Sequence, residues 1–203
     1  TLGVEYFLPY LARATMEPMN CTADVHSDRC KVWVPTQFPE VVRDKAAEIT
    51  GLAPEQVMVH TTYLGGGFGR RGWDFAVQAI QASKAVGRPV KLIWTREEDT
   101  QHDFYRPAYK SRLQVQLDED GLPKSWSHQL AGPSAISEFA WQLVDTRAVG
   151  KLLNWIDWDV TSTEGTQLPY AIPDHEMDYE VVEPGIRVGF WRSVGNSQNA
   201  YTV

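Results

Sequence analysis

Thr62-Tyr63-Leu64-Gly65-Gly66-Gly67-Phe68-Gly69-Arg70-Arg71 places four glycines in five positions. Such a run stabilises neither helix nor strand, because glycine loses more backbone entropy on folding than any other residue. It suits a loop where backbone must approach something closely or take a positive φ. An alternating apolar run, Gln56 to Thr61, precedes it, and a helical pattern starting near Trp73 follows. The element is therefore a strand, a glycine loop and a helix. Its N–H groups, the helix N-terminus and the paired Arg70 and Arg71 all favour an anion, which gives the two arginines an expected phosphate role. A structural turn is the competing reading.

The nucleotide-binding motifs fit poorly. A Walker loop needs a Lys after the glycines, and none is present. Gly67-Phe68-Gly69-Arg70-Arg71-Gly72 is a formal match to the dinucleotide fingerprint. The acidic residue expected about 20 positions on is missing, since the chain there reads Arg88-Pro89-Val90-Lys91-Leu92. A nucleotide-binding enzyme is thus a minor alternative.

Working outward, residues 4–8 read as a strand, and Pro18 keeps the loop 13–20 out of a helix. A hairpin follows, with strands Thr22–His26 and Cys30–Val34. Pro39 opens a helix that Gly51 stops, and Val57–Val59 is a strand. Beyond the glycine loop, small and apolar residues recur at helical spacing from Phe75 to Val86, and Gly87 caps them. Pro89–Trp94 is the next strand, and Thr95–Asp99 reads as a polar turn with Glu97, Glu98 and Asp99 in solvent. Strands Tyr109–Leu117 and Ser125–Leu130 flank a turn at 118–121. The stretch 132–175 is less regular, with a helix expected over Asp145–Leu153 and core or interface anchors at Trp155 and Trp158. Tyr179–Val182 is a strand, and 185–203 begins extended with a polar cluster around Arg192. The class is α+β: a mixed sheet with packed helices and antiparallel hairpins.

Composition narrows the function. The 203 residues are 43% hydrophobic with a formal net charge of −7, which argues against nucleic acid as a partner. No apolar run reaches the length of a membrane span. The first residue is Thr, and a strand follows at once, as expected of a chain that begins inside a longer polypeptide. Cys21 and Cys30 form neither a CxxC pair nor an iron–sulfur ligand set and read as small, partly buried residues. His60 and His102 lack partners at metal-ligand spacing, and Glu17 reads as a loop carboxylate satisfied by nearby backbone.

Five segments in order carry a resemblance: Met16-Glu17-Pro18; Trp33-Val34-Pro35-Thr36-Gln37; Gly65 to Arg71; Arg88-Pro89-Val90 with Thr95 to Asp99; and Phe190-Trp191-Arg192-Ser193-Val194-Gly195. Together they resemble the molybdenum-binding subunit of the xanthine dehydrogenase and aldehyde oxidase family. The β subunits of isoquinoline 1-oxidoreductase and related bacterial aldehyde dehydrogenases are similar to the chain within it. The resemblance implies that residues 1–203 are a fragment of the first molybdenum cofactor-binding domain of a longer subunit. It implies molybdenum on molybdopterin, in the cytosine dinucleotide form, and oxidative hydroxylation of aldehydes or N-heterocycles. It also implies an iron–sulfur small subunit carrying 2Fe-2S clusters, contact with the remainder of the large subunit, and a bacterial periplasmic or cytoplasmic setting. The cofactor does the redox work and the protein positions it.

By position, Gln37 matches the family glutamine that hydrogen-bonds an oxygen ligand of molybdenum, and Arg192 matches an arginine lining the metal centre. These two are the catalytic candidates. Gly66, Gly67, Phe68, Gly69, Arg70, Arg71 and Ser193 join them as cofactor-binding candidates, with no direct protein ligand to the metal. Gly72 stands where xanthine dehydrogenases carry a purine-holding glutamate, which argues against a purine. Val194 stands where they carry a substrate-stacking aromatic residue. The family's catalytic base is expected outside this chain, so the isolated chain is expected to be inactive. A non-catalytic scaffold that keeps the fold without the cofactor is the alternative.

Overall fold

The structure, a computed structural model, describes residues 1–143, 159–183 and 185–203. They form two compact units: Arg13–His102, and Thr1–Ala12 together with Asp103–Val203.

In the unit Arg13–His102, strands β2 (Asn20–Val25), β3 (Cys30–Val34), β4 (Val57–Thr61) and β5 (Val90–Ile93) form a sheet in the order β4-β3-β2-β5. β2 pairs antiparallel with β3 and β5, and β3 pairs parallel with β4. Alternation dictates its buried face: Cys21, Ala23, Val25, Cys30, Val32 and Val34 point inward. Helices α1 (Pro39–Thr50) and α2 (Asp74–Val86) bury Val42 and Ala46, and Phe75, Ala76, Ala79 and Ile80. Small side chains let α2 lie close. Ser83 accepts the Val25 N–H at 3.0 Å and donates to the Arg88 carbonyl at 2.8 Å, tying helix to sheet. Gly51 and Gly87 end the two helices, as the sequence indicates.

The expected polar turn at 95–99 is instead the N-terminal part of helix α3 (Arg96–Gln101). Thr95 caps it, its Oγ1 accepting the Glu98 N–H at 3.2 Å. Asp99 is buried rather than solvated and accepts from Arg96 at 2.7 Å. Cys21 and Cys30 are both free thiols, and both are buried.

The other unit contains the sheet β1-β6-β7-β8, built from β1 (Leu2–Leu8), β6 (Tyr109–Leu117), β7 (Pro123–Gly132) and β8 (Asp174–Val181). β1 pairs antiparallel with β6, joining segments that the whole of Arg13–His102 separates in sequence. Tyr109, Leu130 and Tyr179 form a buried cluster on this sheet. The phenols of Tyr109 and Tyr179 donate to the carbonyls of Pro133 at 3.0 Å and Gly132 at 3.2 Å, which satisfies their buried polar ends.

Helix α4 (Ala135–Leu143) and a short helix, Val160–Thr163, occupy part of the stretch that reads as irregular. The helix expected over Asp145–Leu153, with Trp155 and Trp158, lies outside the described residues. The segment 185–203 contains a helix, Asn196–Thr202, that has no apolar periodicity in sequence. No helix among the described residues is long and apolar enough to cross a membrane.

Candidate functional site

The glycine loop joins β4 to α2, and its shape is set by its carbonyls. Gly65 O accepts the Glu17 N–H at 3.2 Å and Gly67 O accepts the Arg70 N–H at 2.8 Å. Gly66 O accepts Arg71 Nε at 2.9 Å, and Phe68 O accepts Arg13 Nε at 3.2 Å. Four successive carbonyls are therefore held by protein donors. In a planar trans peptide the N–H lies opposite the C=O. The N–H groups of Gly66, Gly67, Phe68 and Gly69 thus each point away from the donor that holds the preceding carbonyl. The conformation requires φ of +93° at Gly66, +52° at Phe68 and +96° at Gly69. At Phe68 that geometry costs on the order of 1–3 kcal/mol and persists because the surroundings over-determine it.

Gln37 is brought to the same place by backbone pairing. Its N–H donates to Arg71 O at 3.1 Å. The preceding Thr36 is buried, donates through Oγ1 to Gly72 O at 2.6 Å and accepts the Phe38 N–H at 3.0 Å. A Cβ added to Gly67 would lie 3.7 Å from Gln37 Oε1 and 3.4 Å from Arg71 Cγ. The Gln37 amide therefore lies beside Gly67, where an added Cβ would make ordinary van der Waals contact with it. Gln37 itself is exposed.

Arg70 and Arg71 do not offer themselves to an external phosphate. Both are buried in full, at 2% and 0% exposure. Arg70 makes a bidentate pair with Asp74, at 2.8 Å on each arm. Arg71 reaches the Glu17 carbonyl at 2.6 Å and its carboxylate at 3.1 Å, besides Gly66 O. Burial draws the Arg71 pKa down, and Glu17 is the first group that offsets it. Their role in the fold is to hold the loop from behind. The reason is local chemistry: carboxylates at Asp74 and Glu17 take up donors that glycines alone could not.

Glu17 is satisfied as the sequence suggests, although its backbone partner lies far along the chain. Its Oε2 accepts the Gly65 N–H at 2.7 Å and its Oε1 accepts Asn20 Nδ2 at 2.8 Å. Burial opposes its ionisation, yet these hydrogen bonds and Arg71 outweigh that and hold its pKa below the usual value. Among the described residues no group of three or more His, Cys, Asp or Glu could hold a metal ion. His60 stacks on Trp33 instead, and His102 lies 3.1 Å from Glu98.

Arg192 and Ser193 belong to the other unit. Ser193 and Val194 both take positive φ, +69° and +48°. The turn closes on itself: Arg192 O accepts the hydroxyls of Ser193 and Ser197, each at 2.5 Å. Helix Asn196–Thr202 is pinned by Asn199, whose Nδ2 donates to Ser162 O and Glu164 O at 2.8 Å each. Asp159 in turn holds residues 161–162, accepting from Thr161 N at 2.8 Å and Ser162 Oγ at 2.8 Å. Thr36, Arg13, Asp159 and Asn199 are the supporting residues that sequence reasoning missed. A buried polar residue carries no apolar periodic signal.

Residues 2–182 match the molybdopterin cofactor-binding domain. The chain belongs to the molybdopterin cofactor-binding domain family. The isoquinoline 1-oxidoreductase subunit beta of Brevundimonas diminuta is 31% identical over 189 residues, covering 92% of this chain and 23% of that protein. The aldehyde oxidoreductase molybdenum-binding subunit of Escherichia coli K12 is 29% identical over 138 residues, 64% of this chain and 19% of that protein. The aldehyde oxidoreductase from Desulfovibrio gigas shares the fold, with a TM-score of 0.70, 19% identity and coverage of 98% of this chain and 21% of its own. The chain therefore spans less than a quarter of the length of these proteins. Within the family's mixed α/β fold, the residues present suit a large polar cofactor: a run of loop N–H groups, each opposite a carbonyl that the protein holds, and an exposed amide, Gln37, beside Gly67.

Proposed function

We propose that residues 1–203 are part of the first cofactor-binding domain of a molybdenum hydroxylase large subunit. The observation that carries the reading is the glycine loop. Its carbonyls from Gly65 to Phe68 are held by protein donors, each N–H from Gly66 to Gly69 points away from the donor on the preceding carbonyl, and Gly67 lies beside the Gln37 amide. Those N–H groups would hold oxygens of the molybdopterin, and the Gln37 side chain would donate to, or accept from, an oxygen close to the metal. Arg70 and Arg71 would support the loop from inside, and Arg192 and Ser193 are cofactor-binding candidates of the other unit.

When bound, the molybdenum–pterin group would supply the redox chemistry for oxidative hydroxylation of an aldehyde or N-heterocycle. This chain's residues would bind and orient; the base of the reaction is expected from the remainder of the longer subunit. The names of the curated relatives, which include isoquinoline and aldehyde oxidoreductases and a nicotinate dehydrogenase subunit, support that substrate range. The reading includes a cytosine dinucleotide form of the pterin and a partner subunit through whose 2Fe-2S clusters the electrons leave.

The test is the molybdenum content of the full-length subunit purified with its iron–sulfur partner. Near-stoichiometric metal, lost when Gln37 and Gly67-Phe68-Gly69 are replaced together, is the expected result. No metal under conditions that load a relative would overturn it and leave a scaffold that keeps the fold alone.

A further inference from the structure

Among the described residues, Glu17 hydrogen-bonds neither the Gln37 amide nor the N–H groups from Gly66 to Gly69, yet the contacts that shape the glycine loop converge on it. Its carboxylate accepts from Gly65 N, Arg71 Nη2 and Asn20 Nδ2, at 2.7, 3.1 and 2.8 Å. Its backbone N–H donates to Gly65 O at 3.2 Å. Its carbonyl accepts Arg71 Nη2 at 2.6 Å and Thr15 Oγ1 at 2.7 Å. The segment carrying Glu17 is itself braced: Arg96 donates to the carbonyls of Thr15 and Met16, and the buried Asp99 holds Arg96 at 2.7 Å. Asp99 thus steadies Arg96, Arg96 steadies residues 15–16, Glu17 holds Gly65, and Arg71 carries the restraint on to Gly66.

Physical chemistry says why such a brace is needed. Three consecutive glycines have the widest φ/ψ freedom available, and no side chain of their own restrains them. Their conformation must be imposed by bonds from outside the loop. Charge-assisted hydrogen bonds are the strongest available for the purpose.

We propose that Glu17 is a positioning residue for the cofactor loop, holding Gly65 directly and Gly66 through Arg71, so that the following N–H groups stay turned toward the pterin. The inference rests on the reading of the loop given under the proposed function. The close fit at Gly65 agrees with it: an added Cβ would lie 2.5 Å from Glu17 Cβ, so the two residues are fitted to each other with no room to spare. Residues 62–65, 68 and 69 are exposed and lie outside the buried core of the unit. Loosening them changes the loop without dismantling the sheet.

The experiment uses the full-length subunit with its iron–sulfur partner, as wild type, Glu17→Gln and Glu17→Ala. Molybdenum and pterin per polypeptide are measured, with the rate at which pterin is lost on dilution and the unfolding temperature of each protein prepared without cofactor. Glu17→Ala is expected to lose pterin at least tenfold faster than wild type. Glu17→Gln, whose amide oxygen still accepts the Gly65 N–H, is expected to fall between them. The cofactor-free proteins are expected to unfold within a few degrees of one another. Wild-type retention of pterin in Glu17→Ala overturns the role of Glu17 alone. Equal loss in both variants, tracking a large fall in the cofactor-free unfolding temperature, also overturns it and leaves Glu17 as an ordinary stabilising residue. A wild-type protein that never carries pterin overturns the functional reading beneath it.

Discussion

Arg70 donates Nη1 and Nη2 to the two carboxylate oxygens of Asp74, one helical turn later, at 2.8 Å each. The guanidinium is buried while the carboxylate keeps partial contact with water, and the Trp94 ring lies 5.4 Å from the guanidinium carbon. The pair spans the junction between the glycine loop and the first turn of α2. There a carboxylate also complements the positive end of the helix.

Replacing Arg70 with Met is therefore expected to destabilise the protein by about 2–4 kcal/mol, because it leaves Asp74 without its partner. Arg70→Lys is expected to recover little, since an ammonium cannot make the two parallel bonds of the fork. Urea unfolding of the three proteins checks both expectations, and a Lys variant as stable as wild type would contradict the second.

His128 lies at 0% exposure on β7, and neither ring nitrogen has a hydrogen-bond partner among the described residues. Burial first, and then the nearby His175, push its pKa down to about 4. The folded protein thus holds it neutral where an unfolded chain would take up a proton. A group depressed in this way contributes its full stability above its ordinary pKa near 6.5, and that contribution is lost as pH falls toward 4. The loss across the window is about 3 kcal/mol. His128→Leu should flatten the fall in urea midpoint between pH 7 and pH 4.5; an unchanged slope would remove His128 from the account.

Asn199 donates from one amide to the buried Ser162 carbonyl and to the partly buried Glu164 carbonyl. Asn199→Ala leaves Ser162 O and Glu164 O short of that donor and is expected to cost about 1–3 kcal/mol. The loss should be local. Amide exchange in residues 193–203 is expected to speed up well before exchange in β6 and β7 does, and uniform acceleration across the unit would count against the pinning role.

What could be read in advance followed from period and punctuation. Cys30, Val32 and Val34 alternate inward as a strand requires, and Gly51 and Gly87 stop their helices where the chain says they should. Asp99 read as solvent-facing because an acidic residue near Glu97 and Glu98 carries no sign of burial; Arg96, one turn back, supplies the partner that permits it. Arg70 and Arg71 read as anion-seeking because charge beside glycines suggests a phosphate. The spacing from Arg70 to Asp74 was the available hint of an internal pair. The partner of Arg71 lies 54 residues earlier, and no local pattern reveals it. Helix Asn196–Thr202 escaped for a related reason: its buried residues are Gln198, Asn199 and Thr202, held by hydrogen bonds rather than by an apolar stripe.

The pairing of Leu2 with Val115 and of Leu8 with Tyr109 bears on biosynthesis. β1 leaves the ribosome well before its strand partner, which follows only after the whole of Arg13–His102 has been made. At roughly 5–20 residues per second, β1 waits several seconds as an unpaired edge. The inserted unit, whose own strands all lie within Arg13–His102, can close during that interval. The glycine loop can thus be shaped before β6 arrives to capture β1.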